Sequence, residues 1–183
     1  EVVRLLCEAG ANKESAAEDG TTPLLVASAQ GHADVVRLLC RLGADKERAR
    51  SDRPTALWIA SCRGHLGVVG RLCEAGADKE SAIRNGTTAL WAASESGRKE
   101  VVQLLIRAGA DPDKARRDGA TALWIASHKR HLHVMRALCA GGADVNKARQ
   151  DGSTPLWIAC NRQHLEGMQL LCEAAADLNT ARR

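Results

Sequence analysis

The densest cluster of chemistry-bearing side chains is His128, His131 and His133, an H-x-x-H-x-H run. Imidazole is the commonest metal ligand, and neutral rings at this spacing raise the question of a metal site. The other candidates are seven cysteines: Cys7, Cys40, Cys62, Cys73, Cys139, Cys160 and Cys172. Their number is odd and no C-x-x-C pair occurs, so neither a disulfide framework nor a zinc site is supported. No G-x-S-x-G, phosphate-binding glycine loop, H-E-x-x-H or convincing pair of nucleophile and base is present. The expectation is a noncatalytic chain with no catalytic, cofactor or metal residues.

The elements that carry these side chains explain most of them. Threonines stand at 22, 55, 88, 121 and 154, a step of 33 residues without insertions. The aligned blocks read DGTTPLLVAS from Asp19, DRPTALWIAS from Asp52, NGTTALWAAS from Asn85, DGATALWIAS from Asp118 and DGSTPLWIAC from Asp151. Five full units therefore run 19–51, 52–84, 85–117, 118–150 and 151–183, and 1–18 matches the second half of a unit. In this register five cysteines (7, 40, 73, 139, 172) are one position, and Ile106 fills it in the remaining unit. An aliphatic substitute means that the thiol serves as a small hydrophobe. His32, His65, His131 and His164 are likewise one position, with Arg98 standing in once, so His131 has a packing role and the metal reading loses its ground.

Each unit predicts two short helices. Asp151-Gly152 is a turn pair, Thr154 is placed to cap a helix with its hydroxyl, and Pro155 suits the first helical position. Leu156, Ile158 and Ala159 follow, Gln163-His164 breaks the run, and a second helix is expected near Leu165 to Ala174. Other units end that helix with Gly-Ala-Asp, as at Gly109, where glycine suits a left-handed cap. Arg53 replaces the turn glycine of one unit and Ala175 replaces the cap glycine of the last. Each should cost about 1 kcal/mol if the backbone keeps positive φ, and the second predicts fraying of the last helix.

A 33-residue period built from a turn, a T-P-L-x-x-A helix and a second apolar helix resembles the ankyrin repeat family over the whole chain. The resemblance implies an all-α solenoid of stacked helix-turn-helix units with projecting loops. Neither helix is stable alone, so neighbouring units must cover its apolar face. Both ends keep the internal apolar pattern instead of a polar cap, which leads to the expectation of a piece of a longer array. The main departure from the family is Trp58, Trp91, Trp124 and Trp157 where its T-P-L-H pattern has histidine; the first unit has Leu25. Family histidines at this position bond through both ring nitrogens. Indole has one donor and no acceptor, so it replaces at most one of those bonds while burying more area. Recurrence in every later unit favours a structural ladder over an exposed binding edge, with blue-shifted, poorly quenched fluorescence.

Partners of the family are held by the concave face of the first helices and by the loop tips. Carried over by register, the concave row is Ala29-Gln30, Cys62-Arg63, Glu95-Ser96, His128-Lys129 and Asn161-Arg162, and the loop tips are Glu18, Ser51, Arg84, Arg117 and Gln150. The candidate protein-binding residues are Arg63, Arg84, Glu95, Arg117, His128, Lys129, Gln150 and Arg162. Units 85–117 and 118–150 carry +2 and +3 of a chain total of +4. Arg84, Arg116, Arg117, Lys129, Arg130 and Arg149 gather there, so a protein partner with an acidic surface would be steered to this region. Nucleic-acid binding has little support: the chain has no Phe or Tyr, and its pI of 8.8 falls short of the usual basic footprint. A regulatory or targeting module of a larger enzyme or channel is the alternative to a scaffold. No run approaches 18 apolar residues, so membrane insertion is not expected. A monomer in a reducing, intracellular and cytoplasmic setting is the expectation from the thiols and the lack of a visible signal peptide.

Overall fold

The computed structural model describes residues 10–48 and 54–180, with side chains as far as Ala175 in the last helix. The turn position Arg53 and the loop-tip residue Ser51 lie outside the described residues, as does Cys7. Among the described residues there are ten helices and no strand. They fall in pairs: α1 (Pro23–Gln30) and α2 (Ala33–Arg41), α3 (Ala56–Arg63) and α4 (Leu66–Glu74), α5 (Ala89–Glu95) and α6 (Lys99–Arg107). Then come α7 (Ala122–Lys129) and α8 (Leu132–Ala140), and α9 (Pro155–Asn161) and α10 (Leu165–Thr180). First helices contact first helices of adjacent pairs, second helices contact second helices, and the result is an all-α solenoid.

The repeated threonines start every first helix. The hydroxyl oxygens of Thr22, Thr55, Thr88, Thr121 and Thr154 each accept a bond from the amide three residues on, at 3.1–3.3 Å. Each cap satisfies a donor the helix leaves open, worth about 1 kcal/mol. Helices of 7 to 9 residues are below the length that is stable in water. Packing supplies the rest. Ala60, Ala93, Ala126 and Ala159 are wholly buried where first helices approach, and Leu39, Leu72, Leu105, Leu138 and Leu171 line the core between second helices. Cys40, Cys73 and Cys139 are free thiols packed half-buried against that core, and burial pushes their pKa up, which keeps them protonated.

Two glycine columns stop the helices, and the exceptions are informative. Second helices end at Gly43, Gly76, Gly109 and Gly142, all at positive φ. In the last unit Ala175 has that place, and α10 runs on to Thr180 instead of ending near Ala174. The expected strain is therefore avoided: alanine is the best helix former and continues the helix where glycine would turn it. First helices are followed by Gly31, Gly64 and Gly97 at positive φ, but Arg130 (φ 62°) and Gln163 (φ 52°) adopt the same conformation with a side chain attached.

Candidate protein-binding surface

The tryptophans form a ladder that is closed in the middle and open at one end. Trp91 and Trp124 are buried, Trp58 is half-buried, and Trp157 is 54% exposed. What covers the central two is an arginine 25 residues further along: the Arg116 guanidinium carbon lies 5.4 Å from the Trp91 ring centroid and that of Arg149 lies 5.1 Å from Trp124. Both arginines converge on Asp118. Arg116 reaches it with Nε at 3.1 Å and Nη2 at 2.9 Å, and Arg149 with Nε at 3.1 Å and Nη2 at 3.0 Å. Burial alone would raise the Asp118 carboxyl, but the Ala120 amide, the Arg116 bonds and the two positive charges outweigh it and hold the group below the usual carboxylate range.

The indole nitrogens are treated unequally. Trp124 Nε1 donates to Ser153 Oγ at 3.1 Å, which restores one of the bonds a histidine would make. Trp91 Nε1 and Trp58 Nε1 are buried with no acceptor among the described residues. For Trp91, Ala120 stands where Ser153 stands one unit later and has no hydroxyl; for Trp58 that position is Thr87, whose hydroxyl donates to Asn85 Oδ1 at 2.7 Å without receiving the indole.

The histidine column stitches neighbouring first helices. His65 Nε2 lies 3.0 Å from the Ala29 carbonyl oxygen and His131 Nε2 lies 3.0 Å from that of Glu95. Arg98 makes the equivalent bond to the Cys62 carbonyl through Nε at 3.4 Å. The stand-in therefore keeps the contact as well as the position. His164 does not: it is buried, its Nδ1 has no partner among the described residues, and its Nε2 is 4.0 Å from Glu166. His65 and His131 pack over Gly31 and Gly97 so closely that an added Cβ would lie 2.8 Å and 3.1 Å from their rings. Arg130 occupies the corresponding place beneath His164 and has that Cβ, which accounts for the missing bond.

On the concave row the candidate residues meet one another. Arg63 donates to the Ala29 carbonyl at 2.6 Å, Lys129 is 3.7 Å from Glu95, and Arg162 donates to His128 Nε2. Cys62 Sγ and Ser96 Oγ are 3.5 Å apart. His128 also stacks on Trp124, with centroids 5.4 Å apart and planes within 10°. Burial, then the charges of Arg162 and Lys129, lower the His128 pKa against a weaker opposing pull from Glu95, so the ring is neutral at pH 7. The row is a set of partnered polar groups on a packed base.

At the loop tips the backbone of one unit bonds to the next: Arg117 N–H to Asn85 O at 3.1 Å and Gln150 N–H to Asp118 O at 3.0 Å. The Gln150 side chain is used too, donating from Nε2 to Arg117 O at 2.8 Å. Arg84 and Arg117 are exposed and line a shared recess of about 400 Å³ with Asn85, Arg116 and Asp118. The basic centre read from the sequence is corrected in one respect. Arg116 and Arg149 are both paired with Asp118, Arg149 also with Asp151, and both cover tryptophan faces, so they are not part of a uniform positive surface. The signal that could have shown this was the shared offset of 25 residues from Trp91 and from Trp124. Among the described residues no group of three His, Cys, Asp or Glu side chains is placed to hold a metal ion.

A stack of two-helix units, first helix on first helix and second on second, defines the chain as a repeat protein. The family model for ankyrin repeats (3 copies) matches residues 1–50, 45–116 and 92–182, and the chain belongs to the ankyrin repeat family. Ankyrin repeats are generally protein–protein interaction modules and typically noncatalytic. A search of curated proteins found no match. No helix among the described residues is long and apolar enough to cross a membrane.

Proposed function

We propose that this chain is a noncatalytic interaction scaffold that holds a protein partner on the concave row of first helices and on the loop tips. The observation that carries the reading is the contrast between columns. Packing positions repeat from unit to unit and are buried, whereas the column Gln30, Arg63, Ser96, Lys129 and Arg162 changes along the chain, and its four long side chains are exposed at the ends of the same helices. A surface already held by bonds between units needs little ordering when a partner binds, which favours affinity. The positive excess of units 85–150 steers a partner with an acidic surface toward it.

The test is affinity capture with the chain and with a triple variant, Arg63→Glu, Lys129→Glu and Arg162→Glu, after circular dichroism shows that both are folded. A captured protein that is purified, rebinds the original chain directly and is lost by the variant supports the concave footprint. Equal binding by both would remove the concave row from the footprint. Capture of nucleic acid alone, abolished at physiological salt, would replace the scaffold reading with polyanion binding.

A further inference from the structure

We infer that the recess between the loop tips of units 52–84 and 85–117 is a receptor for a single carboxylate side chain of an acidic protein segment, gripped by Arg84 and Arg117. This rests on the scaffold reading and assigns one contact within it. Most arginines and lysines on the binding side already have partners. Arg63 is bound to a carbonyl, Lys129 to Glu95, Arg162 to His128, and Arg116 and Arg149 to Asp118. Arg84 and Arg117 differ. They occupy the same position in successive units, both are exposed, and neither guanidinium has a hydrogen bond or ion pair among the described residues.

The base under them is fixed. The Arg117 amide is bonded to Asn85 O, and the chains approach so closely that a Cβ added at Gly86 would lie 2.9 Å from Arg117 N. Arg116 is held by two bonds to Asp118 at the recess wall. Three arginines against one aspartate leave the lining residues at net +2. Planar guanidinium groups match a carboxylate with paired, charge-assisted bonds. Asp118 at the wall is held ionised by its partners and weakens the positive field of the recess without reversing it.

The test uses the full chain and the blocked peptide N-acetyl-Gly-Glu-Gly-amide, with the glutamine peptide and inorganic phosphate as comparisons. Binding is followed through the arginine Nε–H resonances in nitrogen–proton correlation spectra. The Arg84 and Arg117 signals should move together and saturate with one Kd for the glutamate peptide. Arg84→Gln and Arg117→Gln should each weaken that binding at least about fivefold, while Arg107→Gln, on an exposed second-helix position, leaves it unchanged. Shifts that do not saturate, equal shifts with the glutamine peptide, or equal loss in Arg107→Gln would overturn the inference. Tighter binding of phosphate than of the glutamate peptide would overturn the carboxylate assignment. The scaffold reading fails separately. A protein partner captured with unchanged affinity by Arg84→Gln and Arg117→Gln would sink the recess and leave the scaffold, whereas saturable peptide binding with no protein captured would sink the scaffold and leave the recess.

Discussion

The unpaired indole of Trp91 gives a prediction whose size follows from the fold's own repetition. One unit further on, Ser153 Oγ donates to Asp151 Oδ1 at 2.6 Å and accepts from Trp124 Nε1 at 3.1 Å. At the equivalent site the Ala120 amide already points at Asp118 Oδ1, at 3.2 Å. Ala120→Ser should therefore place a hydroxyl between Asp118 and Trp91 in the arrangement seen at Ser153. A buried donor without a partner costs about 1–3 kcal/mol, and the new hydroxyl must itself be taken out of water. The expected net gain is about 1 kcal/mol, or roughly 2–4 °C in Tm for a chain of this size. Urea unfolding followed by circular dichroism measures it, and a double-mutant cycle with Trp91→Phe isolates its cause. Phenylalanine keeps the ring and loses the N–H, so the gain should vanish in that background. Conversely, Ser153→Ala should cost about 1 kcal/mol or more by stranding Trp124 Nε1. A serine at 120 that is neutral or destabilising, or a gain that survives Trp91→Phe, would refute the reasoning.

Two further outcomes are expected. Arg130→Gly removes a side chain from the left-handed conformation and should stabilise the chain by about 1 kcal/mol. By opening the place over which His65 and His131 pack in other units, it should also make His164→Ala more costly in the Arg130→Gly background than in the original; equal costs would show that Arg130 does not displace His164. The pH dependence follows from the rings of His128 and His164, whose pKa values burial lowers from 6.5 with help from neighbouring positive charge. Below pH 6.5 the unfolded chain binds more protons at these sites than the folded one, so their stabilisation, complete above that pH, is lost as the pH falls toward the folded values. Asp118 adds a second decline below its ordinary value of 3.8. Urea midpoints measured from pH 8 to pH 5 should fall, and the slope should flatten in a variant with His128→Gln and His164→Gln; a slope unchanged by these substitutions would exclude the histidines as its source.

The period, the caps and the core columns were legible from residue types because each depends on contacts repeated at a fixed spacing. Thr154 before Pro155 reads as a helix start whatever surrounds it, and Leu105 or Leu138 recurs because every unit must bury the same stripe. The arginine covers on Trp91 and Trp124 were harder to read. They depend on residues 25 positions apart, at opposite ends of one unit, meeting in space, and charge counting puts Arg116 and Arg149 on the surface with the exposed Arg84 and Arg117. The last helix differs from its expected end near Ala174 for a local reason: without a glycine at 175 the stop is removed, and the helix extends to Thr180.

The sequence by itself determined the architecture, since a strict 33-residue register leaves each short helix only its neighbours to pack against. It also determined which columns vary and hence where a partner could be recognised. Only the tertiary structure decided which of those variable side chains are free. Arg63, Lys129, Arg149 and Arg162 look alike as letters to Arg84 and Arg117, yet the first four are engaged by groups in the same or an adjacent unit and the last two are not. The physical reason is range: apolar periodicity is written within one helix, whereas the partner of a charge is set by distances of a few ångströms between units, which residue order alone does not specify.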